Sequence, residues 1–258
     1  MNAPSHPVVF LADAHLRGRS DPNQETLVRF LQKDPVPGGL VILGDLFDFL
    51  AGKNQVAAEA YRPVLNAFEP WAPVHYLEGN HDFDLDQDVF EPGTIVIHTG
   101  PVTLELGGVR LRLLHGDRTS PTDLGTRLLR RILQSAPIRF ARDHLLHDAV
   151  VFHLALAFAT VSRRNTWPGR ANESLAAFAE ARRQLDNHKT DAAIFAHTHH
   201  PLLNRIPEGL IANPGPAVGS GSYLRLENQT FSLHRFPGGE RIAFRKLRLS
   251  GSPDETEK

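Results

Sequence analysis

Five apolar segments of this sequence each end in a short turn that carries aspartate, asparagine or histidine. The segments cover residues 8–12, 40–43, 74–77, 109–114 and 192–195. The first two are continuous apolar runs, which are typical of strands buried on both faces of a sheet. When helices flank a sheet, ligands gather beyond the carboxyl ends of its strands. The repeated pattern therefore predicts an α/β fold in which the polar turns meet at one edge.

The turn Gly79-Asn80-His81-Asp82 carries the densest set of such side chains. Glycine allows a sharp backbone turn as the chain leaves a strand. Asn80 offers an oxygen to a metal, His81 offers a nitrogen to a metal or a proton, and Asp82 can orient either group. Taken alone, this pattern would also fit a polar turn after a buried strand. The repetition at the other four turns favours a metal site.

Together the turns supply carboxylate, amide and imidazole ligands. The candidate ligands are Asp13, His15, Asp45, Asn80, His115, His197 and His199. The sequence has no cysteine, so sulfur ligands and disulfides are excluded, and the set suits manganese, iron or zinc better than calcium. Residues two apart on an extended segment point the same way, so Asp13 and His15 are expected to chelate one centre. The same spacing argument joins His197 to His199.

The rest of the chain reads as one domain over residues 1–250. Helical patterns cover residues 21–33 and 54–68. Over residues 118–190 helical pattern interrupts the strands, and a helical insert is predicted there; residues 118–189 hold twelve Lys and Arg against six Asp and Glu. The chain from residue 210 onward reads as a strand meander with glycine-rich turns. Residues 251–258 form a polar tail that we expect to be disordered.

Composition restricts the classes of partner and location. The formal net charge of −1 gives no reason to expect a nucleic-acid partner. The N-terminus lacks the positive region of a secretory signal. The longest apolar run, residues 149–161, contains His153 and is shorter than the ~17–25 residues that span a bilayer. We therefore expect a soluble, cytoplasmic protein.

The turns also resemble the signature of the calcineurin-like metallophosphoesterases across nearly all of residues 8–201. The matching motifs are Asp13-x-His15, Gly44-Asp45-x-x-Asp48, Gly79-Asn80-His81-Asp82, His115-Gly116-Asp117 and Ala196-His197-Thr198-His199. The chain departs from the family at Ala196, where glycine is usual. The resemblance implies a four-layer α/β/β/α sandwich, with residues 118–190 as a helical cap insertion.

The same resemblance implies an enzyme that hydrolyses phosphoesters with two divalent metal ions, Mn²⁺ ahead of Fe or Zn. It assigns one metal to Asp13, His15, Asp45 and His199. It assigns the other to Asp45, Asn80, His115 and His197, so that Asp45 bridges. Two cations ~3.5–4 Å apart bind phosphoryl oxygens, and a hydroxide between them attacks phosphorus in line.

Three further residues of the motifs have candidate roles around the metals. His81 follows a ligand without being needed as one, so it is the candidate to protonate the leaving oxygen or to stabilise the transition state. Asp48 and Asp82 either orient ligand imidazoles or serve as structural turn carboxylates. Both alternatives stay open for these two carboxylates.

The basic insert resembles the lid of the UDP-2,3-diacylglucosamine pyrophosphohydrolases. That resemblance implies a lipid-linked substrate and peripheral membrane contact through the insert. It implies substrate contacts at Asp123, Arg163, Arg164 and Asn165. Alternatively, the insert is only a structural cap over the site.

Two features favour a different branch of the family. The lipid-linked branch typically has arginine at the position of His81, and Asn213-Pro214-Gly215 resembles a turn of the small phosphodiesterases. The alternative function is thus a general phosphodiesterase or phosphatase acting on nucleotides or other small phosphoesters. A non-enzymatic scaffold is a third possibility, but scaffolds of this fold have lost metal ligands, and here every ligand position is filled.

Overall fold

The computed structural model describes residues 6–33, 35–117, 132–164 and 170–247. The described α-helices are α1 (Pro22–Lys33), α2 (Gln55–Asn66), α3 (Ala136–His144), α4 (Asp148–Arg164) and α5 (Arg170–His188). The first strands are β1 (Val8–Leu11), β2 (Leu40–Ile42), β3 (Leu50–Gly52), β4 (Val74–Leu77), β5 (Asp82–Leu85), β6 (Ile95–His98) and β7 (Val102–Leu106). The later strands are β8 (Val109–Leu113), β9 (Ala192–Ile194), β10 (Leu202–Ile206), β11 (Gly209–Asn213), β12 (Ser222–Glu227), β13 (Thr230–Arg235) and β14 (Arg241–Lys246).

Two large sheets contain the five strands that the sequence predicted. The first has the order β14-β13-β12-β1-β2-β4-β6, and its strands β1, β2, β4 and β6 are parallel. The second has the order β10-β11-β9-β8-β7, with β8, β9 and β11 parallel. Strands β3 and β5 form a small parallel pair. All five predicted strands are confirmed, and each belongs to a parallel part of a sheet.

Side-chain alternation along the strands produces four layers. In β1, Val9 and Leu11 join a core formed with helices α1 and α2, whereas Val8 and Phe10 join a second core between the two sheets. A third core lies between the five-stranded sheet and α5, where Ala177 packs. Three cores between four layers give an α/β/β/α sandwich, which confirms the predicted fold class.

The helices of the predicted insert pack in different places. Helix α5 covers the outer face of the five-stranded sheet through Ala181 and Leu185, so it is one of the four layers. Helix α4 lies on the opposite side of the molecule, where Phe152 and Tyr61 of α2 place their ring centroids 6.0 Å apart. Residues 118–131 and 165–169 of the predicted insert, and the predicted tail, lie outside the described residues.

The prediction of one continuous C-terminal meander is wrong at its first strand. Strand β11 lies in the five-stranded sheet and pairs parallel with β9, while only β12, β13 and β14 form an antiparallel meander in the other sheet. The segment between β11 and β12, residues 214–221, contains five Pro and Gly residues and carries the chain from one sheet to the other. None of the helices in the described ranges combines the length and apolarity needed to cross a membrane.

Candidate metal centre

Turns at the carboxyl ends of β1, β2, β4, β8 and β9 bring the predicted ligands together. Three groups of three side chains each place their possible ligand atoms within 4.8 Å of one another. The first group is Asp13, His15 and His199, and the second is Asp45, His115 and His197. A third group, His15, Asp45 and His81, overlaps both and adds His81. Asp45 Oδ2 lies 3.9 Å from His15 Nε2 and 3.4 Å from His115 Nε2. The Asp45 carboxylate thus lies between the first and second groups, where a bridging ligand would be.

Most of these residues have an unusual backbone conformation. Asp13, His15, Asp45, His197 and His199 all have positive φ, between 47° and 68°. Non-glycine residues in this left-handed region cost of order 1–3 kcal/mol each and cluster at functional sites. The surrounding contacts must hold five such residues at one edge of the fold.

This backbone conformation differs from the extended geometry that the spacing argument assumed for His197 and His199. The two residues are not on an extended segment, since their φ angles are 68° and 56°. Their side chains belong to different ligand groups. Asp13 and His15 share a group although their φ angles, 52° and 47°, are positive as well, so spacing alone does not decide which of these residues lie together.

Two glycines let the turns approach each other closely. A Cβ atom on Gly79 would collide with Asp45 Oδ1. A Cβ atom on Gly44, whose φ is +88°, would lie 2.7 Å from His115 Nδ1. Any larger residue at either position would push the Asp45 and His115 turns apart.

The tautomer of His115 suits metal binding. Its Nδ1 donates to the Leu43 carbonyl oxygen at 2.6 Å. Because a carbonyl only accepts, Nδ1 carries the hydrogen, and in the neutral ring Nε2 keeps a lone pair. That Nε2 atom lies 3.2 Å from Asn80 Oδ1 as well as close to Asp45. Asn80 therefore lies with the second group, as the resemblance implied.

The electrostatics of the cluster show how strongly its buried charges interact. Burial raises the pKa of Asp13 to about 7. Burial also lowers the pKa of His115, but the negative charge of Asp45 outweighs it and the pKa rises to about 10. Burial, and then the positive charge of His115, lowers the pKa of His197 to about 4. Protons and divalent cations would therefore compete for these side chains.

A buried imidazole nitrogen of His197 also indicates a cation-binding site. His197 Nδ1 is buried and has no hydrogen-bond partner in the described part of the chain. Buried polar atoms are normally paired, so an unpaired one calls for an explanation such as a missing ion. An imidazole nitrogen of this kind, beside buried carboxylates, fits a cation-binding group.

Asp48 and Asp82 have different surroundings. Asp48 Oδ1 lies 3.4 Å from His15 Nδ1, which fits the predicted role of orienting a ligand imidazole. Asp82 instead accepts hydrogen bonds from the backbone N–H groups of Asp45, Leu46 and Gly79 at 2.8–2.9 Å. The described hydrogen bonds of Asp82 go to backbone and to a tyrosine hydroxyl, and none goes to an imidazole. For Asp82, these contacts fit the alternative of a structural turn carboxylate.

His81 lies at the edge of the first group. Its backbone N–H donates to Asp45 Oδ1 at 2.9 Å, and its Nδ1 donates to the Asp48 carbonyl oxygen at 3.0 Å. Its ring centroid is 4.9 Å from that of His15. His81 is therefore close enough to act on a group bound at the cluster.

The predicted substrate contacts receive no structural placement at the site. Asp123 and Asn165 lie outside the described residues, and of Arg163 and Arg164 only the backbone, in the last turn of α4, is described. The structure adds a residue that the sequence reasoning missed, Arg17, whose Nε lies 3.3 Å from Asp48 Oδ2. An arginine two residues after a candidate ligand was the available signal.

The chain is similar to several known proteins. A UDP-2,3-diacylglucosamine hydrolase of Aeromonas salmonicida is 27% identical over 93% of this chain and 93% of its own length. One from Aeromonas hydrophila is 29% identical over 76% of this chain and 83% of its own. A solved structure of the Escherichia coli phosphoesterase Yfce aligns with 94% of this chain and all of its own, at 21% identity and a TM-score of 0.49. The family model for calcineurin-like phosphoesterases matches residues 6–201, well over half of the chain. The chain therefore belongs to the calcineurin-like phosphoesterase family.

Proposed function

We propose that this phosphoesterase uses two divalent metal ions and that its substrate is a lipid-linked nucleotide pyrophosphate of the UDP-2,3-diacylglucosamine type. The observation that carries the dinuclear part is the position of Asp45 between two ligand groups. In this proposal Asp13, His15, Asp45 and His199 hold one ion. Asp45, Asn80, His115 and His197 hold the other.

The chain's own residues prepare this centre. Two divalent ions would supply charge stabilisation for the phosphoryl group and activate the attacking water. The Leu43 carbonyl fixes the His115 tautomer, and the Asp48 carboxylate lies against His15. The oxygen and imidazole donors suit Mn²⁺, with Fe or Zn as alternatives. His81, which is tied to the Asp48 carbonyl, would donate a proton to the leaving oxygen from its other ring nitrogen.

The substrate class is supported by an exposed apolar row on α4. Val150, Leu154 and Phe158 follow one another at intervals of four residues, on one face of the helix, and are 50%, 65% and 57% exposed. Leu145, immediately before α4, is 70% exposed. Exposed apolar patches of this kind mark binding sites for apolar ligands, proteins or membranes. Relatives named as UDP-2,3-diacylglucosamine hydrolases make acyl chains the favoured ligand of this row, which we call the α4 apolar row.

The same row would allow peripheral contact with the cytoplasmic face of a membrane. A lipid-linked substrate has its acyl chains in the bilayer, so an enzyme that takes it must approach that surface. This contact, like the substrate, is part of the proposal.

A general phosphodiesterase or phosphatase for nucleotides or other small phosphoesters is the second candidate. His81 supports it, because an imidazole beside Asp45 can serve as a general acid for many leaving groups. Such an enzyme would have no use for the α4 apolar row. The two candidates therefore differ in what substitutions on α4 do.

One experiment tests both parts of the proposal. Chelator-treated protein is assayed with and without Mn²⁺ on UDP-2,3-diacylglucosamine and on bis-p-nitrophenyl phosphate. Hydrolysis is expected only with the metal, and the double variant Leu154→Ser/Phe158→Ser should lose about tenfold or more in kcat/KM on the lipid substrate alone. The control is Ile242→Ser on β14, which removes a side chain of similar exposure, 47%, far along the chain. Equal effects of the double variant and of the control Ile242→Ser would favour the phosphodiesterase alternative. So would the absence of lipid hydrolysis by the unmodified protein.

A further inference from the structure

A groove runs from the first ligand group to helix α4. Its volume is about 660 Å³, within the range of small-molecule sites. Its lining includes His15, Arg17, Ser20, Asp21 and Leu156. It therefore joins a proposed metal ligand, a guanidinium and the helix that bears the α4 apolar row.

Arg17 is held firmly at this groove. Its Nε lies 3.3 Å from Asp48 Oδ2, and the other oxygen of that carboxylate contacts His15. Its Nη2 donates to Thr160 Oγ1 on α4 at 2.7 Å. The Thr160 hydroxyl in turn donates to the Leu156 carbonyl at 2.7 Å, which turns its lone pairs outward. The guanidinium is thus fixed one carboxylate away from a metal-ligand imidazole.

The backbone of Arg17 is fixed as well. Its N–H donates to Asp21 Oδ2 at 3.1 Å, while Asp21 Oδ1 accepts from Asn23 N–H. The acidic group of the groove is therefore already engaged by the chain. Leu16, the residue before Arg17, forms an isolated parallel β-bridge with Phe47. A fixed guanidinium loses little conformational entropy when it binds an anion.

The described contacts of Arg17 leave part of its guanidinium unused. A guanidinium carries five N–H donors, and these contacts engage Nε and one hydrogen of Nη2. The side chain is 47% exposed. Among the lining residues that the structure describes, it is the one Lys or Arg side chain of the groove. Arginine forks match phosphate oxygens in geometry and charge.

We propose that Arg17 is a specificity-determining residue that binds a second phosphate, next to the phosphoryl group held at the metal centre. This inference rests on the proposed function and deepens it. The proposed metal ligand His15, the Arg17 guanidinium and Leu156 of α4 line the groove, while the α4 apolar row is on the other face of that helix. A guanidinium next to the proposed metal centre would select substrates with two linked phosphates over substrates with one.

A rival role for Arg17 is purely mechanical. By joining Asp48 to Thr160, it would only latch α4 onto the metal-binding turn. The two roles separate because Thr160→Val breaks the latch but keeps the guanidinium. Arg17→Ala removes both, and Arg17→Lys keeps a charge without the fork.

The test measures binding by calorimetry, with Mn²⁺ at equal concentration in cell and syringe. The probes are methylenediphosphonate, a diphosphate that cannot be hydrolysed, and inorganic phosphate. The unmodified protein should bind the diphosphonate more tightly, and Arg17→Ala should lose about 10- to 100-fold of that affinity while phosphate affinity changes much less. Arg17→Lys should lose part of it. Thr160→Val, which loosens the guanidinium without removing it, should lose much less than Arg17→Ala. The control Arg19→Ala, whose guanidinium contacts the Glu59 carbonyl instead, should stay within about threefold.

Each other outcome overturns the inference. Equal binding of the two probes by the unmodified protein would show that no second phosphate is read. Equal losses for both probes in Arg17→Ala, no loss, or the same loss in Thr160→Val would make Arg17 a latch or a bystander. A protein that takes up no Mn²⁺ in a prior titration would instead refute the proposed function, so the two failures are distinguishable.

Discussion

Asp82 is the carboxylate for which the structure makes the sharpest prediction. It is fully buried and accepts backbone N–H groups from two different turns, those of Asp45 and Gly79. It also accepts the hydroxyl of Tyr76. Asp82→Ala would leave the N–H groups of Asp45 and Leu46 and the Tyr76 hydroxyl without this acceptor, whereas the Gly79 N–H keeps a bond to the backbone carbonyl of residue 82. We therefore expect the substitution to lower the free energy of unfolding even when no metal is bound.

The size of the effect follows from the hydrogen bonds. Each buried donor left unpaired costs about 1–3 kcal/mol, and three donors depend on the Asp82 carboxylate: the N–H groups of Asp45 and Leu46 and the hydroxyl of Tyr76. Burial raises the pKa of Asp82, so the ionised form is itself disfavoured and the lower part of that range applies. We expect Asp82→Ala to lower the free energy of unfolding by about 3–6 kcal/mol, a large share of the ~5–15 kcal/mol typical of a protein.

The assay is urea unfolding in the presence of chelator, followed by circular dichroism. Asp82→Asn, which keeps one acceptor oxygen, should lose less and serves as the variant that still folds. Asp48→Asn is the matched control, because Asp48 is also buried and its described carboxylate contacts are with the side chains of His15 and Arg17. If Asp82→Ala were as stable as the unmodified protein without metal, while losing metal affinity, Asp82 would be an imidazole-orienting group after all.

Three further predictions concern the metal centre. Asp45→Ala should lose both metal ions, since its carboxylate lies between the two groups; two equivalents retained in elemental analysis would refute bridging. His81→Ala should keep both ions and lose roughly 10²–10⁴-fold in kcat, least for p-nitrophenolate leaving groups; equal losses would argue for electrostatic stabilisation instead. The pH dependence follows from the folded pKa of His115, about 10 against 6.5 for the ordinary group. The stability that this proton contributes is fully present below pH 6.5 and is lost as the pH rises through 10. Chelator-treated protein should therefore lose stability over that interval in urea unfolding, and Mn²⁺, which replaces the proton, should abolish the decline.

Much of the fold was predictable because its signals are local. Apolar runs such as residues 40–43 and helical periodicity over 21–33 depend on neighbours in sequence, and both elements occur as β2 and α1. The convergence of the ligand turns followed from parallel strands, whose carboxyl ends share an edge.

What sequence reasoning missed depends on contacts between distant segments. The separate groups of His197 and His199 were implied by the family resemblance and not by their spacing, and the left-handed backbone at both residues could not be read from the sequence. The placement of β11 in the other sheet depends on its parallel partner β9. The position of Arg17 at the site depends on its contacts with Asp48 and with Thr160, which is 143 residues away.

Carboxylates of neighbouring turns hold the ligand turns in their left-handed backbone conformation. Asp45 has a φ of 53°, and its own N–H and that of Leu46 are both held by Asp82. Asp13 holds the N–H of His197, whose φ is 68°, across 184 residues of sequence. Conformations of this cost persist only where surrounding hydrogen bonds over-determine them. The ligand geometry is therefore set before any ion arrives, by hydrogen bonds between turns of different strands, and substitutions that break those bonds should weaken metal binding without removing a ligand.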